Sequence, residues 1–267
     1  MKNFDYITVA KKVLEIESKA LIKQIDQIDQ AFVDACELCL ECSGKLIVMG
    51  LGKSGHIADK IAATLSSTGT PSYFIHPSEA IHGDIGMIDE KDIVLIFSYS
   101  GETEEIISLI PYLKKKEIKI IAFTGNIDSK LSSESDIHIH VPVEEEACPM
   151  NLAPTASTTT ALAVGDAFAV ALLERKGFTK EDFAKSHPGG SLGKQLLLSI
   201  NDIMHTGEEV PVVCSDDILS KGLIEMSQKA LGMTAIVDKK DQLVGIFTDG
   251  DLRRTLESNI DIKTTKM

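Results

Sequence analysis

Three stretches rich in glycine, serine and threonine carry the chemistry for which this chain is equipped. Gly50-Leu51-Gly52-Lys53-Ser54-Gly55 has the spacing G-x-G-x-x-G, and Ser98-Tyr99-Ser100-Gly101-Glu102-Thr103 offers hydroxyls at Ser98, Ser100 and Thr103. Thr155-Ala156-Ser157-Thr158-Thr159-Thr160 opens a long apolar run just after Pro154. Small residues let backbone N–H groups approach an anion, and helix-start amides with hydroxyls surround a phosphate monoester while needing little positive charge. The expected phosphate ligands are therefore Gly52, Ser54, Ser98, Ser100, Thr103 and Ser157, with Lys53 adding a point charge. One hydroxyl-rich helix start is ordinary capping. Three of them at corresponding strand ends point to a shared anion site.

Moving a proton between two carbons beside a carbonyl needs carboxylates or histidine, tuned by partial burial. Glu105 falls one turn inside the helix expected after the Ser100 loop. Glu146 ends Glu144-Glu145-Glu146, just before Ala147-Cys148-Pro149. His187 stands in Ser186-His187-Pro188-Gly189-Gly190, a loop where a histidine has no packing role, and His82 stands in Ile81-His82-Gly83-Asp84. Against each stands the reading of a solvated side chain, and Asp84 has the simpler task of holding a turn. His138 and His140, two apart on a strand, share a face and read as structural or exposed rather than as a metal pair.

Two other site types are weighed on the same residues. A dinucleotide fold places an acid at the end of its second strand, and here that strand ends Phe74-Ile75-His76-Pro77 with no acid before Glu79. Gly52-Lys53 lacks the preceding glycine spacing of a Walker A loop. Cys36, Cys39 and Cys42 have the spacing of three iron–sulfur ligands, but the fourth Cys-Pro does not follow, and the surrounding Phe32, Val33, Leu38 and Leu40 suit a helix. The five cysteines fit a reducing compartment.

These residues need a scaffold, and the chain alternates to provide one. Residues 4–42 read as two helices, with Val9, Val13, Ile16 and Leu21 near a 3.6 period. Strands are predicted at Lys45–Gly50, Ser72–His76, Asp92–Ser98, Ile118–Thr124 and Asp136–Pro142. Helices are predicted at Ser54–Ser67, Thr103–Lys116 (where Pro111 should kink the helix or start a new turn), Asp128–Glu134 and Pro154–Lys176. Continuous apolar strands alternating with helices mean an α/β domain, doubly wound on a five-stranded parallel sheet. Thr179–Leu198 is polar and glycine-rich. After residue 200 a β-α-β-β-α unit follows: Val210–Val213, Ser215–Ala230, Thr234–Asp238, Leu243–Phe247 and a helix from Gly250, with Asp238–Asp241 as a hairpin turn. The expected domains are 1–200 and 201–267.

Composition bounds the partners. A formal net charge of −13 on 267 residues disfavours nucleic acid and anionic membrane. Met1-Lys2-Asn3-Phe4-Asp5 carries an acid and no apolar run, and the longest apolar stretch, Ala161 to Leu173, is broken by Asp166. No signal peptide or membrane span is expected, and a soluble, cytoplasmic protein is.

The blocks Val48–His56, Ser66 with Thr68–Pro71, His82–Asp84, Ser100–Glu102, Glu146–Pro149, Leu152–Thr155, Ser186–Gly190, Asn201–Thr206 and Gly245–Arg254 together resemble arabinose-5-phosphate isomerases. Those enzymes join a sugar isomerase (SIS) domain to two cystathionine-β-synthase (CBS) repeats. The resemblance runs over essentially the whole chain. It implies reversible conversion of D-ribulose 5-phosphate and D-arabinose 5-phosphate through an enediol, supplying the eight-carbon sugar Kdo for lipopolysaccharide or capsule. It places the active-site residues on Lys53, Glu105, Glu146 and His187, with His82 beside them, and implies no metal or organic cofactor. It further implies a homotetramer with sites at subunit interfaces, where His187 serves a neighbouring subunit. The departure is a single CBS repeat, the first of the usual pair, with the chain ending where the second would begin. Thr248 and Asp249 match positions such repeats use for nucleotide ribose and phosphate, so a nucleotide or nucleotide-sugar effector would need a cleft formed between chains.

Two readings from other classes compete. A non-catalytic sugar-phosphate sensor would carry a DNA-binding helical domain and a basic face, and would have no use for Lys53, Glu105, Glu146 and His187 together. A nucleotide-dependent oxidoreductase would purify with a cofactor absorbing in the near ultraviolet.

Overall fold

A computed structural model describes residues 4–187, 199–258 and 260–267. By contacts the chain divides into two compact units, residues 1–197 and 198–267.

In the first unit the strands β1 (Leu46–Gly50), β2 (Ser72–Phe74), β3 (Ile93–Phe97), β4 (Lys119–Thr124) and β5 (Ile137–His140) form one parallel sheet in the order β2-β1-β3-β4-β5. Every residue of β1 and β3 is buried, as expected for strands covered on both faces. Side chains alternate between two cores with the period of the pleat. Leu46, Val48, Leu95, Phe97, Ile121 and Phe123 face α2 (Gln30–Glu41), α3 (Gly52–Ser67) and α7 (Ala156–Lys176). Ile47, Met49, Val94, Ile96, Ile120 and Ala122 face Ile106, Leu109, Ile110 and Leu113 of α5 (Glu104–Lys115). The doubly wound sheet read from the sequence is the one observed.

The N-terminal segment forms α1 (Tyr6–Ile25) and α2, each capped by an aspartate, Asp5 and Asp29. Helix α5 continues through Pro111, without the new turn expected there. Pro111 is exposed, so the Ile107 carbonyl that loses its usual donor lies on the hydrated side of the helix. Helix α7 is long and apolar enough by length and composition to cross a membrane. Its Val164, Phe168, Ala169 and Leu172 are nevertheless spent on the sheet core.

Three short helical segments were not expected, and a fourth is shorter than predicted. α4 (Pro77–Ile81) and a 3-10 turn at Asp84–Met87 fill the crossover from β2 to β3. α6 shrinks to Lys130–Glu134, capped by Ser129. α8 (Lys180–Ser186) begins in a capping box between Thr179 and Asp182, inside the stretch read as loop.

The second unit holds α9 (Ile200–Ile203), β6 (Val212–Cys214), α10 (Leu219–Lys229), β7 (Met233–Val237), β8 (Leu243–Thr248) and α11 (Asp249–Glu257). β6 and β7 are parallel, and β7 and β8 antiparallel. The hairpin turn is tied by Asp238, whose carboxylate accepts from the Lys240 and Gln242 amides. α10 starts later than predicted, because the Asp217 carboxylate takes the Cys214 amide and makes a turn instead.

Candidate active site

Open α/β sheets bind ligands beyond the strand carboxyl ends, where neighbouring connections depart in opposite directions. Here that place lies between β1 and β3: β1 connects outward to β2, and β3 connects the other way to β4. Gly50 and Phe97 are register partners, so the Leu51–Ser54 and Ser98–Thr103 turns leave the sheet side by side.

Both turns open helices whose first amides lack a side-chain cap. Leu51 precedes α3 and Thr103 precedes α5 without capping either helix. Gly52 adopts φ +58°, a left-handed conformation that glycine enters without strain. Lys53 is exposed beside it, and Ser54 is half-buried. Ser98 is buried, its hydroxyl 3.1 Å from that of Thr103. The Ser100 hydroxyl accepts from the Glu102 amide at 3.2 Å, and Glu105 is half-buried in the first turn of α5.

Gly101 closes the second turn at φ +67°, and a Cβ there would lie 2.1 Å from the Ser129 hydroxyl. Gly101→Ala therefore combines left-handed strain with a clash at the cap of α6. It is expected to lower unfolding stability by about 2–4 kcal/mol and to raise KM for a sugar phosphate. Urea denaturation and steady-state kinetics check the pair, and an unchanged KM would separate this turn from substrate binding.

A cavity of ≈ 240 Å³ opens at the same sheet edge, with Ser54, Ser98, Tyr99, Gly125, Glu146 and Ser157 in its wall. Glu146 is the most elaborately held of these. Its Oε2 accepts from the Thr155 amide at 2.7 Å, the Thr155 hydroxyl at 2.9 Å and the Ser157 amide at 3.2 Å. The Glu146 amide in turn donates to Asn151 Oδ1 at 2.8 Å. Burial pushes this carboxyl up, but the hydrogen bonds from Ser157 and Thr155 outweigh it and hold the group below the ordinary glutamate range. The start of α7, read from sequence as a third phosphate cradle, thus has the protein's own carboxylate on its amides.

Of the residues singled out by sequence, Ser54, Ser98, Glu146 and Ser157 line this one cavity. Gly52, Lys53, Ser100, Thr103 and Glu105 flank it on the two neighbouring helix starts but are not in its wall. His82 ends α4 and is exposed, with Asp84 starting the next turn. His187 ends α8 rather than standing in a free loop. Its ring stacks on Phe183 with centroids 4.0 Å apart, and Nδ1 lies 3.1 Å from the Phe183 carbonyl. The Pro188–Gly190 part of that motif falls outside the described residues.

Sequence reasoning missed Tyr99 and Gly125 as parts of the site, and read Thr155 as part of a phosphate cradle rather than as a partner of Glu146. Tyr99 Oη reaches the Val143 carbonyl at 3.4 Å, and a Cβ on Gly125 would meet the Tyr99 ring at 2.2 Å. The signal available was positional: Tyr99 lies two residues beyond the end of β3, and Gly125 directly follows β4.

The histidine pair is hydrogen-bonded at the ends of β4 and β5, and Cys36 and Cys39 pack in or against the core. His138 Nε2 is 2.9 Å from the Thr124 hydroxyl, and His140 Nε2 is 3.2 Å from the Gly125 carbonyl. Burial, followed by the neighbouring His140, pushes the His138 imidazole down. Cys39 is buried in the core, and burial pushes its thiol up, as it pushes Cys36 up to about 11. Such thiols stay protonated. Among the described residues no group of three or more His, Cys, Asp or Glu could hold a metal ion. In the second unit the Thr248 hydroxyl caps α11 through Asp251, and Asp249 lines a hollow with Ser227, Gly232 and Leu252.

Comparison with known proteins converges on one group. The SIS domain family matches residues 39–171. Arabinose 5-phosphate isomerase KdsD of Yersinia pestis is 52% identical over 263 residues, covering 98% of this chain and 80% of that protein. The Pseudomonas aeruginosa enzyme of the same name is 51% identical over 262 residues, with the same coverage. An Escherichia coli CFT073 protein solved in complex with arabinose 5-phosphate superimposes with a TM-score of 0.68 at 45% identity, covering 70% of this chain and 100% of that one.

Proposed function

We propose a division of labour within the site of a chain that belongs to the SIS-domain family of arabinose 5-phosphate isomerases. The enzyme interconverts D-ribulose 5-phosphate and D-arabinose 5-phosphate through an enediol, in the supply of Kdo for lipopolysaccharide or capsule. The cytoplasmic location goes with the family.

The observation that carries the site reading is the pair of uncapped helix starts at the β1/β3 switch point, beside a cavity walled by Glu146. Uncapped amides and the partial positive ends of α3 and α5 suit a phosphate dianion. Gly52, Ser54, Ser98, Ser100 and Thr103 supply its ligands, with Lys53 steadying the phosphate or a sugar oxygen. Ser157 is the weakest of the proposed phosphate ligands, since its amide serves Glu146. His187 and one of Glu105 or Glu146 move the protons, with His82 beside them. The carbon-bound proton leaves C1 of the ketose, the enediol forms, and a proton returns to C2 on the face that gives the arabino configuration.

We propose that His187 serves the site of a neighbouring subunit in a homotetramer. The first unit carries the isomerase chemistry and the second a CBS repeat, in which Thr248 and Asp249 would meet a nucleotide or nucleotide-sugar effector.

Turnover of ribulose 5-phosphate in deuterated water tests the reaction. The expected product is arabinose 5-phosphate carrying deuterium at C2, read by NMR. Absence of product, or ribose 5-phosphate in its place, contradicts the assignment, and product without deuterium argues against an enediol whose proton exchanges with solvent.

A further inference from the structure

We propose that Thr155 is a positioning residue that holds Glu146 by Oε2 and leaves Oε1 as the only oxygen able to act on the substrate. The inference rests on the reading of Glu146 as a group that meets the sugar, and it narrows what that group can do. Thr155 touches the carboxylate twice, through its amide at 2.7 Å and its hydroxyl at 2.9 Å. The same hydroxyl oxygen lies 2.7 Å from the Ala147 amide, which can only donate. A hydroxyl has one proton, so it accepts from Ala147 and gives its own proton to Glu146. Three donors then converge on Oε2, counting the Ser157 amide, and that oxygen has no room for a proton of its own. Proton traffic at this residue is confined to Oε1.

The chemical consequence is asymmetric. A carboxylate whose charged form receives three hydrogen bonds serves as a base or as a fixed negative charge, and it resists acting as an acid near neutrality. The charged side chains lining the same cavity are Glu144 and Glu145, on Glu146's own segment; the ends of β3 and β4 and the first turn of α7 add none. Hydrogen bonding, rather than a nearby cation, sets the protonation of this group.

Thr155→Val keeps the side-chain shape and removes the hydroxyl, whereas Thr155→Ser retains it. The valine variant is expected to lose roughly tenfold in kcat through misplacement of the carboxylate. The acid limb of its kcat/KM profile is expected to move to higher pH, and serine should restore both. In a Glu146→Gln background the valine change should add no further loss, because Thr155 acts through the carboxylate. An acid limb unmoved in Thr155→Val, or a full additional loss in the Gln background, overturns the proposal. Should the valine protein not fold, Thr155→Ala adds no bulk and carries the same test. Wild-type turnover by Glu146→Gln alone would instead strike the reading of Glu146, a result the Thr155 variants cannot mimic.

Discussion

Replacing His187 by asparagine is expected to lower kcat for ribulose 5-phosphate by about a hundredfold or more, with a much smaller change in KM. The Phe183 carbonyl can only accept, so the Nδ1 position that faces it at 3.1 Å carries the proton in the neutral ring. That leaves the Nε2 lone pair available as a base, on a ring oriented by its stack against Phe183. Asparagine can keep a hydrogen bond to the carbonyl but cannot relay a proton, so the loss should fall on kcat. The proposed service of His187 to a neighbouring subunit's site adds a second arm to the experiment. Co-expressed His187→Asn and Glu146→Gln subunits should recover activity that neither variant has alone, because mixed assemblies contain sites with both groups intact. Mixed assemblies as inactive as their parents would confine His187 to its own subunit, and wild-type turnover in His187→Asn would remove it from the mechanism.

The parts of the molecule legible in the sequence are those fixed by local pattern. Leu46–Gly50 and Ile93–Phe97 announce themselves as central parallel strands because every position is apolar, and their small-residue exits mark the switch point between them. What escaped was either a short local signal masked by its surroundings or an interaction between separated segments. The short α4 depends on a cap from His76 and on Pro77 at its first turn, a signal overshadowed by the strand expected to run through His76. Helix α8 was hidden because the glycines after His187 gave the whole stretch the texture of a loop, although Thr179 and Asp182 form a capping box at its start. The role of Glu146 as the anion on α7 could not be read at all. Nothing in the separation of Glu146 from Thr155 and Ser157 says that the intervening Ala147–Pro154 segment folds back to bring them together. A cluster of hydroxyls at a helix start signals an anion, but not whether substrate or protein supplies it.

That last distinction makes Glu146→Gln the more informative companion experiment. The glutamine carbonyl can still accept from Thr155 and Ser157, so the fold should persist, with at most about 1 kcal/mol lost from the missing charge at the start of α7. Turnover should fall by about a hundredfold or more, since the remaining amide cannot take a proton. The pH dependence of stability separates the two roles. Folding depresses the carboxyl below the ordinary glutamate value of 4.5, so its contribution is present above that value and is lost as pH falls through the lower, folded one. The Tm gap between wild type and Glu146→Gln should therefore be widest near neutrality and close in acid, while the loss of turnover persists wherever the enzyme is active. A gap independent of pH would mean that the charge of Glu146 contributes nothing to the start of α7, and the convergence of three donors on Oε2 would lose its energetic meaning.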